Sequence, residues 1–382
     1  MSGADSHRAR PGVSVMAGDG EYNRHSQPQH VAGHDGLGLL VRAGEAVPLT
    51  LQQSQAVVAD YGSSQGRNSL VPMSTAIEKL RDRLGAQAAI SIVHTDLPSN
   101  DFAALFETLQ TDPQSYLRDD EHVFAYAVGR SFYERLFPSA HVTLGWSSIT
   151  VHWLSAVPTT LSGQIFSPLG SPAERTAYAE RAADDWHRFL SNRFAELVPG
   201  GQLVIVGSGA DEHGRCGAEG LLELANDALR EMVAEGVLSS ADYERMVVPT
   251  YYRTREEFLA PLRDLSSPAD PSAPADPPAP GSALLSEFTL QECAETDLAD
   301  PLWESYEQGG DVAAFAASAS EFLRAFSEPS LFGAIAAERS AQAATKLADD
   351  FYARVREAVA AHPEQAQCAW RLVLLRLAKP GS

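Results

Sequence analysis

The chain has 382 residues, enough for one large decorated domain or two smaller ones, and its 44% hydrophobic content is ordinary for a protein that forms a core. Its formal net charge of −21 repels phosphate backbones, which argues against nucleic acid as a partner. No apolar run is long enough to span a bilayer, and no apolar segment follows the polar residues 1–11. We therefore predict a cytoplasmic protein that binds no membrane. Cys216, Cys293 and Cys368 are widely spaced and predict neither a disulfide framework nor a zinc site.

Short apolar runs alternate with amphipathic stretches along the first half of the chain. The runs predict strands at 56–59, 89–93, 123–128, 142–144 and 203–206, and the amphipathic stretches predict helices at 47–55, 73–84 and 173–197. Such alternation is typical of an α/β doubly wound sheet with helices on both faces.

The pattern changes after Gly217. Helices predicted at 221–233, 313–323 and 340–359 must bury their apolar faces, and the open end of the sheet is the natural place. We predict a disordered N-terminal arm at 1–15, a core domain at 16–215 and a mainly helical substrate cap at 216–382. Within the cap, six prolines mark residues 266–282 as a flexible insertion, and residues 283–291 are predicted to supply a returning strand.

A glycine-containing turn, Asp60 to Asn68, follows the first predicted strand. Glycines at such a turn let a cofactor approach the backbone closely, but the Gly-x-Gly-x-x-Gly pattern of dinucleotide sites is absent, which argues against NAD. Acidic Asp60 and Asp96 end successive strands. Asp60 suits the cationic part of S-adenosylmethionine (SAM), and Asp96 can accept hydrogen bonds from both hydroxyls of its ribose. Taken alone, Asp96 fits equally well a simple turn in which Asp101 caps the next helix.

Several motifs in order resemble the SABATH family of plant-type carboxyl methyltransferases, which includes salicylate, benzoate and jasmonate methyltransferases. The resemblance is strong to about residue 206 and loose beyond it. The motifs are Met16 to Tyr22 with Ser26 and Gln29, Ala59 to Asn68, Asp96 to Phe102, Ser131 to Tyr133 with Arg135 to Pro138, Ser147-Ser148, and His152 to Ser155 with Val157-Pro158, followed by weaker echoes at Pro199 to Gly201 and Pro249 to Tyr251.

The resemblance implies a Rossmann-like SAM-dependent methyltransferase sheet with an added α-helical cap. It also implies a homodimer, a small-molecule carboxylic acid as substrate, SAM as cofactor and S-adenosylhomocysteine (SAH) as product. Implied cofactor residues are Tyr22, Ser26, Gln29, Asp60, Gly62, Ser63, Asn68, Asp96, Leu97, Ser131 and Phe132. Implied substrate residues are Gln29, Ile149, His152, Trp153, Leu221, Leu222, Leu323 and Trp370, of which Gln29 and Trp153 would hold the carboxylate for catalysis.

The chain also departs from the family pattern. Ala17 replaces a common basic residue, Ile149 a pocket tyrosine and Leu222 an aromatic residue. Glu244 and Val247 replace the Asp and Asn that accompany a metal in several members, so we expect no metal.

A carboxylate is already ionised at neutral pH and needs no general base. We therefore expect methyl ester formation by in-line transfer, with His152 shaping the pocket rather than acting as the base. The sequence leaves open N- or O-methylation of a heterocycle, phenol or natural-product intermediate, a larger carboxylate such as a peptide end, and SAM binding without turnover.

Overall fold

The computed structural model of the protein describes residues 16–18, 21–49, 55–118, 120–262, 288–298, 300–336 and 339–381. The predicted arm at 1–15, the insertion at 266–282 and the first part of the returning strand, 283–287, lie outside the described residues. The described strands are β1 (Gln55–Tyr61), β2 (Ala89–Asp96), β3 (Val123–Gly129), β4 (Val142–Ser148), β5 (Leu197–Ala210), β6 (Arg253–Thr254), β7 (Thr289–Leu298) and β8 (Trp370–Ala378).

Helices alternate with these strands and then dominate the C-terminal part. Those described are α1 (Glu21–His25), α2 (Gln27–Asp35), α3 (Leu37–Ala46), α4 (Leu70–Leu84), α5 (Phe102–Thr111), α6 (Pro172–Glu196), α7 (Glu219–Ala234), α8 (Ser240–Arg245), α9 (Arg255–Leu259), α10 (Pro301–Gly309), α11 (Val312–Ala336) and α12 (Ala341–Ala361).

The strands form a single sheet in the order β3-β2-β1-β4-β5-β8-β7, with β6 paired to β5. Strands β1 to β5 are parallel, while β8 runs antiparallel to both β5 and β7. The chain leaves β1 toward β2 on one side and later returns to β4 on the other. A parallel sheet opens a crevice at such a reversal, beyond the carboxyl ends of the strands.

Both faces of the sheet are covered. Along β1, Val58 packs with α3, α4 and α5 on one face, and the next residue, Ala59, packs with α6 and α9 on the other. This alternation follows from the two-residue period of a strand. A third apolar cluster joins α7, α11 and α12. The predicted fold class, a Rossmann-like α/β sheet with helices on both faces and an added α-helical cap, is confirmed.

The structure differs from the local predictions in three places. Residues 47–49 are not helical; α3 ends at Ala46, because Pro48 disfavours the helical conformation at Val47. Residues 370–378, counted with the cap, form β8 inside the sheet. β7 (Thr289–Leu298) overlaps the predicted returning strand at 283–291 and continues beyond residue 291, where its half-exposed polar residues hide the strand pattern.

Candidate cofactor and substrate cavities

The turn after β1 adopts a backbone that few residues allow. Gly62 and Gly66 have φ of 88° and 86°, and Ser64 has φ of 48°. A side chain at Gly62 would place its Cβ only 2.3 Å from Cγ2 of Thr150. The amides of Gly62 and Ser63 donate to the carbonyl of Thr95, which ties this turn to the end of β2.

Asp96 ends β2 beside this turn. Its carboxylate accepts the amide of Ser64 at 2.7 Å and the amide of Leu97 at 2.8 Å. Burial raises the pKa of Asp96 to about 6; the two amide donors oppose the shift and the charge of Asp60 adds to it. Asp96 is thus a half-buried acceptor that is ionised above about pH 6.

A cavity of about 650 Å³ lies beyond these strand ends, and we call it the strand-end cavity. Its lining holds one carboxylate, that of Asp96, and neither Lys nor Arg among the described residues. The buried Oγ of Ser64 also lines it and has no hydrogen-bond partner among the described residues. The lining residues are Met16, Tyr22, Gly62, Ser64, Asp96, Leu97, Ser131, Phe132, Tyr133, Ile149, Thr150, Trp153, Leu154, Ser155 and Pro249.

The structure brings together six of the eleven predicted cofactor residues in this lining: Tyr22, Gly62, Asp96, Leu97, Ser131 and Phe132. The remaining five do not line it. Ser26 and Asn68 hydrogen-bond to each other at 3.1 Å. Asp60 accepts the hydroxyl of Ser69 at 2.6 Å and lies 2.8 Å from Nδ1 of His94. Ser63 is buried beside the cavity, and Gln29 lines a second one.

That second cavity, about 570 Å³, lies between α2, α11 and the strand ends, and we call it the cap cavity. It contains five of the eight predicted substrate residues, Gln29, Ile149, His152, Trp153 and Trp370. Neither Lys nor Arg is among its described lining residues, which are Met16, Tyr22, Pro28, Gln29, Ala32, Ile149, His152, Trp153, Ser208, Thr250, Tyr252, Leu298, Phe322, Phe326, Trp370 and Leu372.

Two buried polar atoms in this lining lack a hydrogen-bond partner among the described residues. They are Oε1 of Gln29 and Nδ1 of His152. The His152 ring stacks on Tyr252, with the ring centroids 5.6 Å apart. Burial and then the charge of Arg253 lower the pKa of His152 to about 3, so the imidazole is neutral at physiological pH. Buried polar groups without partners are uncommon in proteins and are candidates for ligand contacts.

The three predicted leucines lie behind the cap cavity rather than in its wall. Leu221 faces a small neighbouring cavity of about 230 Å³, which shares Phe322 and Trp370 with the cap cavity. Leu222 and Leu323 are buried in the cluster formed by α7, α11 and α12. The helices turn these side chains toward one another, a result of cap packing that the sequence does not reveal.

Met16, Tyr22, Ile149 and Trp153 line both cavities, so the two cavities meet at these side chains. The motifs did not identify Tyr133 and Thr150 as lining residues of the strand-end cavity, or Tyr252, Phe326 and Leu372 as lining residues of the cap cavity. Tyr133 belongs to the motif Ser131 to Tyr133, but the resemblance implied a cofactor role only for Ser131 and Phe132. Leu372 lies in β8, which was not recognised as a strand.

Metal-binding groups and membrane-spanning helices are both absent from the described residues. Within the described ranges, no group of three His, Cys, Asp or Glu side chains is arranged to hold a metal ion. None of the helices in the described part of the chain is long and apolar enough to cross a bilayer.

Comparison with known proteins identifies the family. A profile for SAM-dependent carboxyl methyltransferases matches residues 12–264. Methyltransferase LUC1 from a Fusarium species is 32% identical over 247 residues, 63% of this chain and 64% of that protein. Salicylate carboxymethyltransferase from Clarkia breweri is 32% identical over 209 residues, 52% of this chain and 57% of that protein. The chain thus spans less than two thirds of the length of either relative.

Comparison of structures covers more of the chain than comparison of sequences. A solved structure of loganic acid methyltransferase with SAH superposes with a TM-score of 0.72 at 20% identity, covering 97% of this chain and 99% of the other. At that identity the likeness shows the fold, which is the Rossmann-like fold of SAM-dependent methyltransferases. Because the family profile matches about two thirds of its residues, the chain belongs to the family of SAM-dependent carboxyl methyltransferases.

Proposed function

We propose that the chain is a SAM-dependent methyltransferase that forms the methyl ester of a small-molecule carboxylic acid. The strand-end cavity would bind SAM and the cap cavity would bind the acid. The observation that carries this proposal is that Trp153, an indole N–H donor, stands in the walls of both cavities. A group held by Trp153 in one cavity therefore lies beside the contents of the other.

The lining of the strand-end cavity fits the proposed cofactor. Asp96 would accept hydrogen bonds from the ribose hydroxyls, and Ser131 and Phe132 would contact the adenine. The hydroxyl of Ser64, which has no partner among the described residues, would be available to hydrogen-bond to the cofactor. The bound cofactor supplies a methyl group on a positively charged sulfonium. A cavity whose charged lining residue is one carboxylate suits such a cation.

The cap cavity fits a carboxylate that must stay reactive. The amide N–H of Gln29 and the indole N–H of Trp153 are uncharged donors, so they can orient the anion without neutralising it as an Arg would. Holding the reacting atoms in place can lower a barrier by roughly 7–11 kcal/mol. The acid is ionised before it binds, so it has no proton to lose and the reaction needs no base from the neutral His152.

Gln29→Glu tests the substrate class. The replacement keeps the size of the side chain but sets a negative charge against the carboxylate, and like charges across a contact cost several kcal/mol. We expect kcat/KM with an acid to fall at least about 100-fold while SAH binding changes less than about twofold. The assay measures methyl transfer from labelled SAM to a panel of acids, with the product identified as a base-labile ester.

Gln27→Glu is the matched control, because Gln27 lies two residues away on α2 and is exposed. Its activity should equal that of the unmodified protein. Transfer to an uncharged heterocycle or phenol that survives Gln29→Glu would instead support N- or O-methylation. SAH binding without transfer to any acceptor would remove the enzymatic proposal altogether.

A further inference from the structure

The loop at residues 151–155 has little regular secondary structure, yet it carries His152 and Trp153 into the cavities. Its only bridge pairs Trp153 with Thr250. We call these five residues the tryptophan loop. A loop of this kind is ordinarily the least rigid part of a fold, so what holds it decides how well Trp153 is placed.

Three successive carbonyls of the tryptophan loop accept hydrogen bonds from other parts of the chain. The carbonyl of residue 151 accepts Nη1 of Arg253 at 2.5 Å. That of residue 152 accepts the amide of Tyr251 at 2.8 Å, and that of Trp153 accepts the hydroxyl of Tyr133 at 2.5 Å.

The amides that follow are held as well. The amide of Leu154 donates to the carbonyl of Pro249 at 2.8 Å. Ser155 donates its amide to Asp185 at 2.7 Å and its hydroxyl to the same carboxylate at 2.6 Å. Because every residue of the loop has such a bond, the side chains of Arg253, Tyr133 and Asp185, together with the backbone of Tyr251 and Pro249, supply the rigidity that a strand ladder would otherwise give.

Arg253 is the most unusual of these partners, since it is a cation that is only 1% exposed. Nη2 donates to the carbonyl of Ala182 at 2.6 Å, and the guanidinium lies over the rings of Trp186 and Phe258 at 5.7 and 5.9 Å. Burying a charge is costly unless it is well bonded. Arg253 reaches its two carbonyls with two different nitrogens of a planar guanidinium, whereas a lysine would bring a single nitrogen to the same place.

Tyr133 links the loop to the strand-end cavity, which Trp153, Leu154 and Ser155 of the loop also line. Its side chain lines the strand-end cavity while its hydroxyl bonds to Trp153. A ligand filling that cavity would restrict Tyr133, and the restriction would pass through this hydrogen bond to the tryptophan loop.

We propose that Tyr133 and Arg253 are positioning residues that hold the tryptophan loop, and that Tyr133 tightens this hold when the strand-end cavity is filled. The proposal rests on the proposed function for its catalytic meaning, since the loop carries the Trp153 donor. Its physical content is that a filled strand-end cavity acts on the tryptophan loop through the hydroxyl of Tyr133 and not only by direct contact, and this is independent of which acceptor is methylated.

Hydrogen exchange measures that coupling without any acceptor. In the unmodified protein, SAH should slow exchange of the amides of Trp153, Leu154 and Ser155. Tyr133→Phe should speed their exchange about tenfold and remove most of the slowing by SAH. Tyr178→Phe is the matched control, because this buried hydroxyl donates to the carbonyl of Thr159, outside the loop. The control should exchange like the unmodified protein.

A double-mutant cycle tests whether Tyr133 acts through Trp153. If it does, Tyr133→Phe lowers turnover about tenfold in the unmodified protein but less than about twofold in Trp153→Phe, whose donor is already gone. Arg253→Lys keeps the charge but not the fork, and we expect it to speed exchange of the same amides about tenfold.

The outcomes separate this proposal from the proposed function. The coupling is overturned if SAH slows exchange at residues 153–155 equally in Tyr133→Phe and in the unmodified protein. It is also overturned if Tyr133→Phe lowers turnover by the same factor in Trp153→Phe as in the unmodified protein. If the unmodified protein transfers methyl to no acceptor, the proposed function fails, and the exchange experiment alone decides the coupling.

Discussion

Two ionisable side chains, the half-buried Asp96 and the buried His152, lie in the walls of the two cavities, and removal from water shifts their pKa values in opposite directions. It raises the pKa of Asp96 to about 6 and lowers that of His152 to about 3. Burial favours the neutral form of each group, which is protonated for a carboxyl and deprotonated for an imidazole. At pH 7 the strand-end cavity therefore holds a negative charge and the cap cavity a neutral ring.

This difference predicts a pH dependence of cofactor binding. Ribose hydroxyls that donate to Asp96 favour its ionised form, so binding lowers the pKa of Asp96 below about 6. By linkage, SAH affinity should rise about tenfold from pH 5 to pH 7 and then level off. The same raised pKa makes Asp96 favour unfolding of the free protein as pH increases from about 4 through 6, so the gain in affinity is not a gain in fold stability.

Titration calorimetry with SAH at a series of pH values measures the effect. Asp96→Asn should bind more weakly at pH 7 and show little pH dependence, whereas Asp82→Asn, at an exposed position on α4, should keep the full slope. An unchanged slope in Asp96→Asn would assign the dependence to another group.

Single residues also show what sequence reasoning can and cannot find. Asp96, Leu97, Ser131 and Phe132 line the strand-end cavity as the motifs predicted, because residues that follow parallel strands gather at one edge of the sheet. Asp60 lies in β1, one residue before its end, and its carboxylate is already in contact with Ser69 and His94. Those partners come from other elements, so the residues next to Asp60 in the sequence do not reveal them.

At the scale of elements, the turn between β1 and α4 must meet two demands at once. Gly62 has a left-handed backbone and lies against Thr150, the residue that leads into the tryptophan loop. Gly85, at the end of α4, has a similar φ of 81° but nothing within 4 Å of an added Cβ. The two glycines separate backbone strain from close packing.

Gly62→Ala should therefore cost more than Gly85→Ala. Backbone strain alone is worth about 1 kcal/mol at Gly85, and the clash with Thr150 should raise the total at Gly62 to about 3 kcal/mol. Urea unfolding measures both free energies. SAH affinity should fall in Gly62→Ala and stay unchanged in Gly85→Ala.

Thr150→Ser is the rescue variant, since it removes the methyl group nearest the new Cβ and keeps the hydroxyl that contacts Ser147. Gly62→Ala combined with Thr150→Ser should be more stable than the sum of the two single changes predicts. Strict additivity would show that the backbone, and not Thr150, accounts for the loss.

Strand prediction succeeded where a strand is buried on both faces and was incomplete at the antiparallel strands, where β7 was predicted only in part and β8 was not predicted. The apolar runs of β1, β2 and β5 stand out because helices cover both faces. β7 is half-exposed, and β8 is an apolar run that resembles a buried helix segment when read alone. Only their mutual pairing, which is not local in sequence, identifies both as strands.

At the scale of the whole molecule, the cap cavity is assembled from distant parts of the chain. Gln29 comes from α2, Leu298 from the end of β7, Phe322 from α11 and Leu372 from β8. The motifs predicted the first of these, but the others depend on how the cap helices and the returning strands close around the sheet. The part of the site that we propose to select the acid is therefore the part that the sequence predicts least well.

The net charge of −21 acts on ligands over the same scale. SAM carries a sulfonium charge that SAH lacks, so the field of the protein should favour SAM, and salt should weaken that preference because the Debye length shrinks from about 30 Å at 0.01 M to about 3 Å at 1 M. Between 0.02 and 0.5 M NaCl we expect the Kd of SAM to rise about two- to fivefold more than that of SAH. An anionic acid should show the opposite trend, with KM falling as salt is added. SAM and SAH differ only in one methyl group and the sulfonium charge that it brings. If the Kd values of the two depend equally on salt, Asp96 and the local lining, rather than the charge of the whole molecule, determine the preference for the cation.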